Sequence, residues 1–138
     1  MKAYQANGTV IRSRFVKIDA TDNNAVLACG ANEGAVGISM PGGREAPIPS
    51  VTADPPEAAQ AGDQLTVFTL HDEDAVLLEA GAGGFTAGDQ IESGAGGVGI
   101  TAVTTSGTVR NIGAIAVETA AAGELGRVLP VMFTHTNP

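Results

Sequence analysis

The feature that most constrains this chain is a corner that keeps coming back. "AGDQL" at residues 61–65 returns as "AGDQI" at 87–91, and a looser form, "AAGEL", stands at 121–125, each ahead of an apolar run. A glycine followed by an acid suits a turn: the glycine takes positive φ, and the acid bonds nearby backbone amides as the next element begins. With 19 glycines in 138 residues, roughly double ordinary usage, the chain is interrupted too often for long helices. The Ala-rich pieces "EAAQAG" and "TAAAGE" are each stopped by glycine within about one turn.

Between the corners the pattern is that of strands. In "RFVKIDA" (14–20), Val16, Ile18 and Ala20 fall on one face and Lys17 and Asp19 on the other, as in a half-buried strand. "TDNN" leads into "AVLACG", so 14–30 reads as a hairpin, and "GAVGIS" (34–39) reads as a short third strand. "DQLTVFTL" (63–70) and "AVLLEAG" (75–81) flank the acidic tip "HDED" and read as a second hairpin. "NIGAIAVET" (111–119) and "ELGRVLPVMF" (124–133) close the chain as two more strands. The expected fold class is all-β, a compact Gly-rich barrel or sandwich of short antiparallel strands with little or no helix.

Residues 41–60, "PGGREAPIPSVTADPPEAAQ", hold five of the seven prolines and no periodicity, which marks a long, stiffened loop. Strand patterns on both sides are alike, so the expectation is one β domain over 1–138 with this loop as an excursion. Aromatic residues are 4% of the chain and tryptophan is absent, so the core is built from Val, Ile, Leu and Ala and is thin for a lone subunit. Association with further copies would help to cover it.

Net charge is −8, unevenly spread: Lys2, Arg12, Arg14 and Lys17 make residues 1–18 +4, leaving −12 on the remaining 120. The acidic body disfavours nucleic acid as a partner. No apolar run reaches the ~18 residues of a membrane helix, and the first residues lack a secretion-signal core, so the expectation is a soluble protein made in the cytoplasm.

The patterns that could carry chemistry read as structural. "GAGGVG" (94–99) has the letters of a dinucleotide loop, but β-branched "ITAVTTSGTV" follows where a phosphate-binding helix is required, so it reads as a hairpin loop. "HDED" (71–74) lacks calcium-loop spacing and reads as a solvated tip, and His135 in "THTNP" as a frayed end. There is no GxSxG elbow, and both lysines lie in the first 17 residues, away from the hairpin tips where a carrier domain presents one. Cys29, with no cation beside it in sequence, reads as a small buried hydrophobe. The turn acids Asp63, Asp89 and Glu124 read as backbone-bonding groups, not a metal site. No enzyme activity, cofactor or metal is expected.

The order of pieces carries more than any one of them. "GTVIRSRFVKIDATDNN", "GAVGISMPGG", "EAPIPSVTADPPEAAQAGDQLTVF", "FTAGDQIES" and "NIGAIAVETAAAGELGRVLPVMF" follow one another along the chain. This series resembles the capsid cement, or head decoration, proteins of tailed bacteriophages. The resemblance implies an all-β protein without cofactor that binds the major capsid protein on the outside of the expanded head and reinforces it against DNA pressure. It also implies a homo-oligomer, commonly a trimer and sometimes a dimer. The family supplies no fixed set of functional residues. The sites expected from the sequence are Tyr4, Arg12, Arg14 and Lys17 in a basic first segment, with residues 1–13 as a capsid-contacting arm, and Arg44 in the proline-rich loop. The competing readings are a tail- or fibre-associated adhesion module and a small oligomeric β-enzyme.

Overall fold

The computed structural model describes residues 2–40, 57–69 and 75–138; residues 41–56, with Arg44, and the tip at 70–74 lie outside the described residues. The first strands are β1 (Lys2–Ala6), β2 (Val10–Ile11), β3 (Phe15–Asp19), β4 (Asp22–Ala28), β5 (Gly37–Ser39), β6 (Glu57–Ala59) and β7 (Gln64–Thr69). Five of them close a barrel in the order β1-β4-β3-β5-β7, while β2 and β6 pair beside it. Next come β8 (Val76–Glu79), β9 (Gln90–Ser93), β10 (Gly99–Thr101), β11 (Val109–Ala116) and β12 (Leu125–Thr136). They form a sheet in the order β10-β9-β11-β12-β8, and a parallel bridge between Ala80 and Gly99 joins its two outer strands, so that it curls toward closure. The protein is all-β, with a single 3-10 turn at Ala95–Gly97 among the described residues.

Three details depart from the sequence expectation. The pairing is not wholly antiparallel, since β1 runs parallel to β4. "DQLTVFTL" and "AVLLEAG" do not form a hairpin: β7 pairs with β1 and β5, whereas β8 pairs with β12. In β3 the alternation fails because Phe15 and Val16 are both buried, and a register shift between Ile18 and Asp19 leaves Ile18 36% exposed and Asp19 buried. A strand packed on both faces carries no period-two signal.

The barrel and the sheet have the same wiring. Strands β1, β3, β4, β5 and β7 correspond to β8, β9, β10, β11 and β12, and each neighbouring pair has the same sense in both units. The registers agree residue by residue. Ile38 faces Phe68 as Ile115 faces Leu129, Val16 faces Ala28 as Ile91 faces Thr101, and Tyr4 faces Leu65 as Leu78 faces Gly126. The chain is thus an internal repeat whose two copies have diverged in sequence.

The recurring corner is what the repeat preserves best. In "QAGD" the Asp63 amide donates to the Gln60 carbonyl at 3.0 Å, and the Asp63 carboxylate accepts from the Gln60 amide at 3.0 Å. Thr86 and Asp89 repeat both bonds, with glycine at φ +91° in each case. Each corner then grips an alanine at the end of a neighbouring strand by two backbone bonds: Gly62 and Asp63 grip Ala6, Gly88 and Asp89 grip Ala116, and Gly123 and Glu124 grip Ala80. A fourth member is invisible in sequence. Ser13, at φ +57°, donates its amide to Ser39, whose own amide donates to Arg14, so Ser13–Arg14 stands where the second unit has Gly88–Asp89.

The cores also correspond, with compensating sizes. Tyr4, Ala6, Val10, Val16, Ala59 and Val67 of the first unit match Leu78, Ala80, Phe85, Ile91, Ala120 and Val128 of the second, all buried. Where the second unit gains Phe85 over Val10, it has Gly126 in place of Leu65, and a Cβ on Gly126 would sit 2.8 Å from the Phe85 ring. Interior volume is conserved although its distribution is not.

The units are joined by Phe15. This residue faces out of the barrel, is fully buried, and enters the core of the second unit together with Cys29 and Ile38. Its ring lies against Gly113, at the bulge of β11, where an added Cβ would come 2.6 Å from Cε1. Asn32 and Asn111 lock the same seam: the Asn111 amide donates to Asn32 Oδ1 (2.9 Å), Asn111 Nδ2 to the Asn32 carbonyl (2.8 Å), and Asn32 Nδ2 to the Val109 carbonyl (3.0 Å). Gly113→Val should therefore destabilise the protein by about 1–3 kcal/mol in urea melts through overpacking. Adding Phe15→Leu should return part of that loss, and a strictly additive double mutant would show that the two positions do not meet.

Candidate interaction surface

The basic first segment is not an arm. Residues 2–6 are a barrel strand flanked on both sides by β4 and β7, and Val10 and Ile11 pair with β6. Tyr4 is 7% exposed and belongs to the barrel core. The apolar spacing of Tyr4, Ala6 and Val10, all buried in the barrel core, is the sequence signal that this segment is built in.

Two of the cations are engaged within the molecule. Arg14 Nε donates to Glu79 Oε2 at 2.7 Å and its Nη1 to the Gly96 carbonyl at 3.4 Å, so it bridges the start of β3 to the second unit. The Glu79 amide donates to the Ser13 carbonyl at 2.8 Å beside it. Lys17 bonds Glu33, an ion pair that raises the Lys17 pKa and lowers that of Glu33. Arg12 is half-buried, and Arg44 is outside the described residues. Arg14 and Lys17 are thus each tied to a carboxylate of the same chain.

Further polar groups serve the fold. Glu92 is fully buried and receives Arg110 bidentately, Nε to Oε2 and Nη2 to Oε1 at 2.7 Å each, with the Val103 amide adding a third bond at 3.1 Å. The bond to Glu92 raises the Arg110 pKa. Burial pushes the Cys29 thiol up to about 12, so it is protonated and inert near neutrality. The C-terminal tail is not frayed. β12 runs to Thr136, placing exposed His135 opposite Arg110, and Asn137 Nδ2 donates to the carbonyls of Val103 (2.9 Å) and Thr105 (3.0 Å). Among the described residues no three His, Cys, Asp or Glu side chains gather as metal ligands. One open depression is lined by Ala3, Tyr4, Gln5, Asn24, Gly62 and Gln64.

What the surface does offer is apolar area on the second unit. Leu125, Arg127 and Leu129 alternate with buried Gly126, Val128 and Pro130 along β12, so they share its outward face. Leu77 lies opposite Arg127, and Ile115 opposite Leu129, on the flanking strands. Leu77, Val117, Leu125 and Leu129 are each 40–45% exposed. Arg127 bonds Glu118 across the middle of this face, Nε to Oε2 at 3.2 Å, leaving it locally neutral on an acidic molecule. A face of this composition buries well against another protein.

The two kinds of ion pair should separate in mutational tests. Arg110→Met strands a buried carboxylate and should cost about 3–5 kcal/mol, whereas Arg127→Met, in an exposed pair, should cost under about 1 kcal/mol. Acid should also destabilise the fold. The Asp19 carboxyl is held below its ordinary value by the Thr21 amide, then by the Asn7 side chain and the Thr21 hydroxyl, and Glu33 is held down by Lys17. The unfolded chain therefore binds protons first, and the stability these groups contribute is present above about pH 4 and lost below it. Asp19→Asn should flatten the fall of melting temperature between about pH 5 and pH 2, and an unchanged slope would exclude this residue as a contributor.

No known family profile matches the chain, and no curated protein matches it in sequence. Among solved structures, the N base of the head fiber protein gp8.5 of bacteriophage phi29 has a similar fold. The TM-score is 0.63 with 18% identity, over 97% of this chain and 97% of that one. The likeness extends over both repeated units and concerns the fold.

Proposed function

We propose that this protein is a structural component of a phage head: a capsid decoration protein that binds the major capsid protein on the outer surface of the expanded shell as an oligomer. The observation that carries the reading is the shared fold, over nearly the full length of both chains, with the base of a phage head fibre. The sequence-wide resemblance to head decoration proteins points the same way. So does the molecule itself, whose polar clusters serve internal staples and which exposes Leu77, Val117, Leu125 and Leu129 on one sheet face suited to protein contact. The protein is not an enzyme in this reading.

The mechanism is linkage. A protein that binds only the expanded lattice stabilises that state by RT ln(1 + [L]/Kd), about 2.7 kcal/mol per site at one hundred times Kd. An oligomer that spans neighbouring capsomers engages its second and third contacts at high effective concentration, so individually weak contacts suffice. An acidic exterior keeps it soluble at high copy number and away from packaged DNA. Arg14 and Lys17 are paired within the chain, so in this reading the apolar sheet face carries more of the contact than these cations do.

The fibre-base neighbour favours a second reading, in which the chain seats a fibre on the head without reinforcing the shell. One experiment tests both. Purified protein should co-sediment with expanded heads and not with unexpanded ones, and decorated heads should release their DNA at a higher temperature. Binding without that shift favours the fibre seat, and an absence of enrichment on either kind of head overturns both. Binding to host envelopes in place of heads would identify an adhesion module.

A further inference from the structure

The internal repeat says what the exposed face of the second unit is for. In the first unit the corresponding residues are Ile38, Met40 and Phe68, matched through the registers to Ile115, Val117 and Leu129. Within the chain that first face is partly covered: Ile38 is fully buried and half-buried Phe68 packs against the core at the seam, while Met40 and Phe68 border an open depression beside Leu77. In the second unit, nothing within the described chain covers the equivalent residues, and Val117 and Leu129 stand 44% and 40% exposed. Repeat architectures bury such faces against a neighbouring unit.

We infer that this outer face of β11 and β12, extended by Leu77 and Leu125, is the contact between copies of this chain, and that its occupant is a second copy. Continuity with the seam is the first argument, because the counterpart face already takes a β unit of this same kind. Charge is the second. Each copy carries −8, so like copies meet most easily where charge is balanced. On this face Arg127 is paired with Glu118, and Glu79 at its edge is paired with Arg14. The seam is not repeated literally, however. Exposed Gln90 stands where Phe15 plugs the first unit into the second, so the contact has no plug to propagate an open chain of barrels and suits a closed, symmetric assembly. The inference does not rest on the head-binding reading, and it is tested without heads.

Sedimentation velocity on the full chain across micromolar concentrations, with circular dichroism as the check on folding, decides it. The wild-type protein should associate, and Val117→Glu combined with Leu129→Glu should weaken association about 30-fold or more with an unchanged spectrum and melting temperature, as for loss of hot-spot contacts. Should that pair of substitutions disturb the fold, Leu125→Glu alone, at a 45% exposed position, provides the same reading. Val109→Glu, at a 51% exposed position outside this face, should leave association intact. A wild-type chain that stays monomeric overturns the proposal, and so does a face variant that associates like wild type.

Discussion

The packing of the Phe15 ring onto Gly113 is the contact on which the rest of the architecture depends. It is the largest side chain buried at the join between the two units, and it is admitted because β11 bulges at a residue with no Cβ. The backbone around it is equally close: a Cβ on Gly97 would fall 2.5 Å from the Phe15 carbonyl oxygen. Two small β units with few aromatics would each bury little area alone. With Phe15, Cys29 and Ile38 contributed to the second core, the units share one interior.

Around that contact the chain repeats one solution twice. The corner that grips an alanine on the neighbouring strand recurs because it does two jobs with few atoms. It turns the chain at a residue tolerant of positive φ, and it completes the backbone pairing where a strand ends. Alanine fits at Ala6, Ala80 and Ala116 because the corner's backbone lies close to each. The looser copy, "AAGEL", omits the glutamine, which shifts its leucine by one place onto the outward face, where Leu125 joins the apolar surface. A small slip in a repeat thereby converts an interior position into a contact residue.

Charge is used in the same economical way. Arg14 and Lys17 look in sequence like part of a basic surface, yet each is paired with a carboxylate of the same chain, and the bidentate hold of Arg110 on buried Glu92 is the strongest pairing of this kind. What remains outside is acidic overall, interrupted by an apolar sheet face. Those two properties together suit a protein that stays dissolved in quantity and acts by sitting on, and next to, other proteins.

Much of this was legible in the sequence. Glycine corners and short β-branched runs determined an all-β fold, the hairpin of β3 and β4, the two closing strands β11 and β12, and the structural role of the repeated turn, because these depend on local backbone preference and on residues close in the chain. Three things were decided only by tertiary structure. The chain is a repeat, which sequence hid because Ser13 replaces the turn glycine and because Phe85 with Gly126 fills the volume that Val10 with Leu65 fills elsewhere. The first strand is part of a barrel and not an arm, since its partners β4 and β7 lie about 20 and 60 residues away. The apolar face of the second unit stands exposed among the described residues, whereas Ile38, its counterpart in the first unit, is buried at the seam. Composition can state how much apolar surface a chain has, and only the packing of distant strands determines which part of it remains outside.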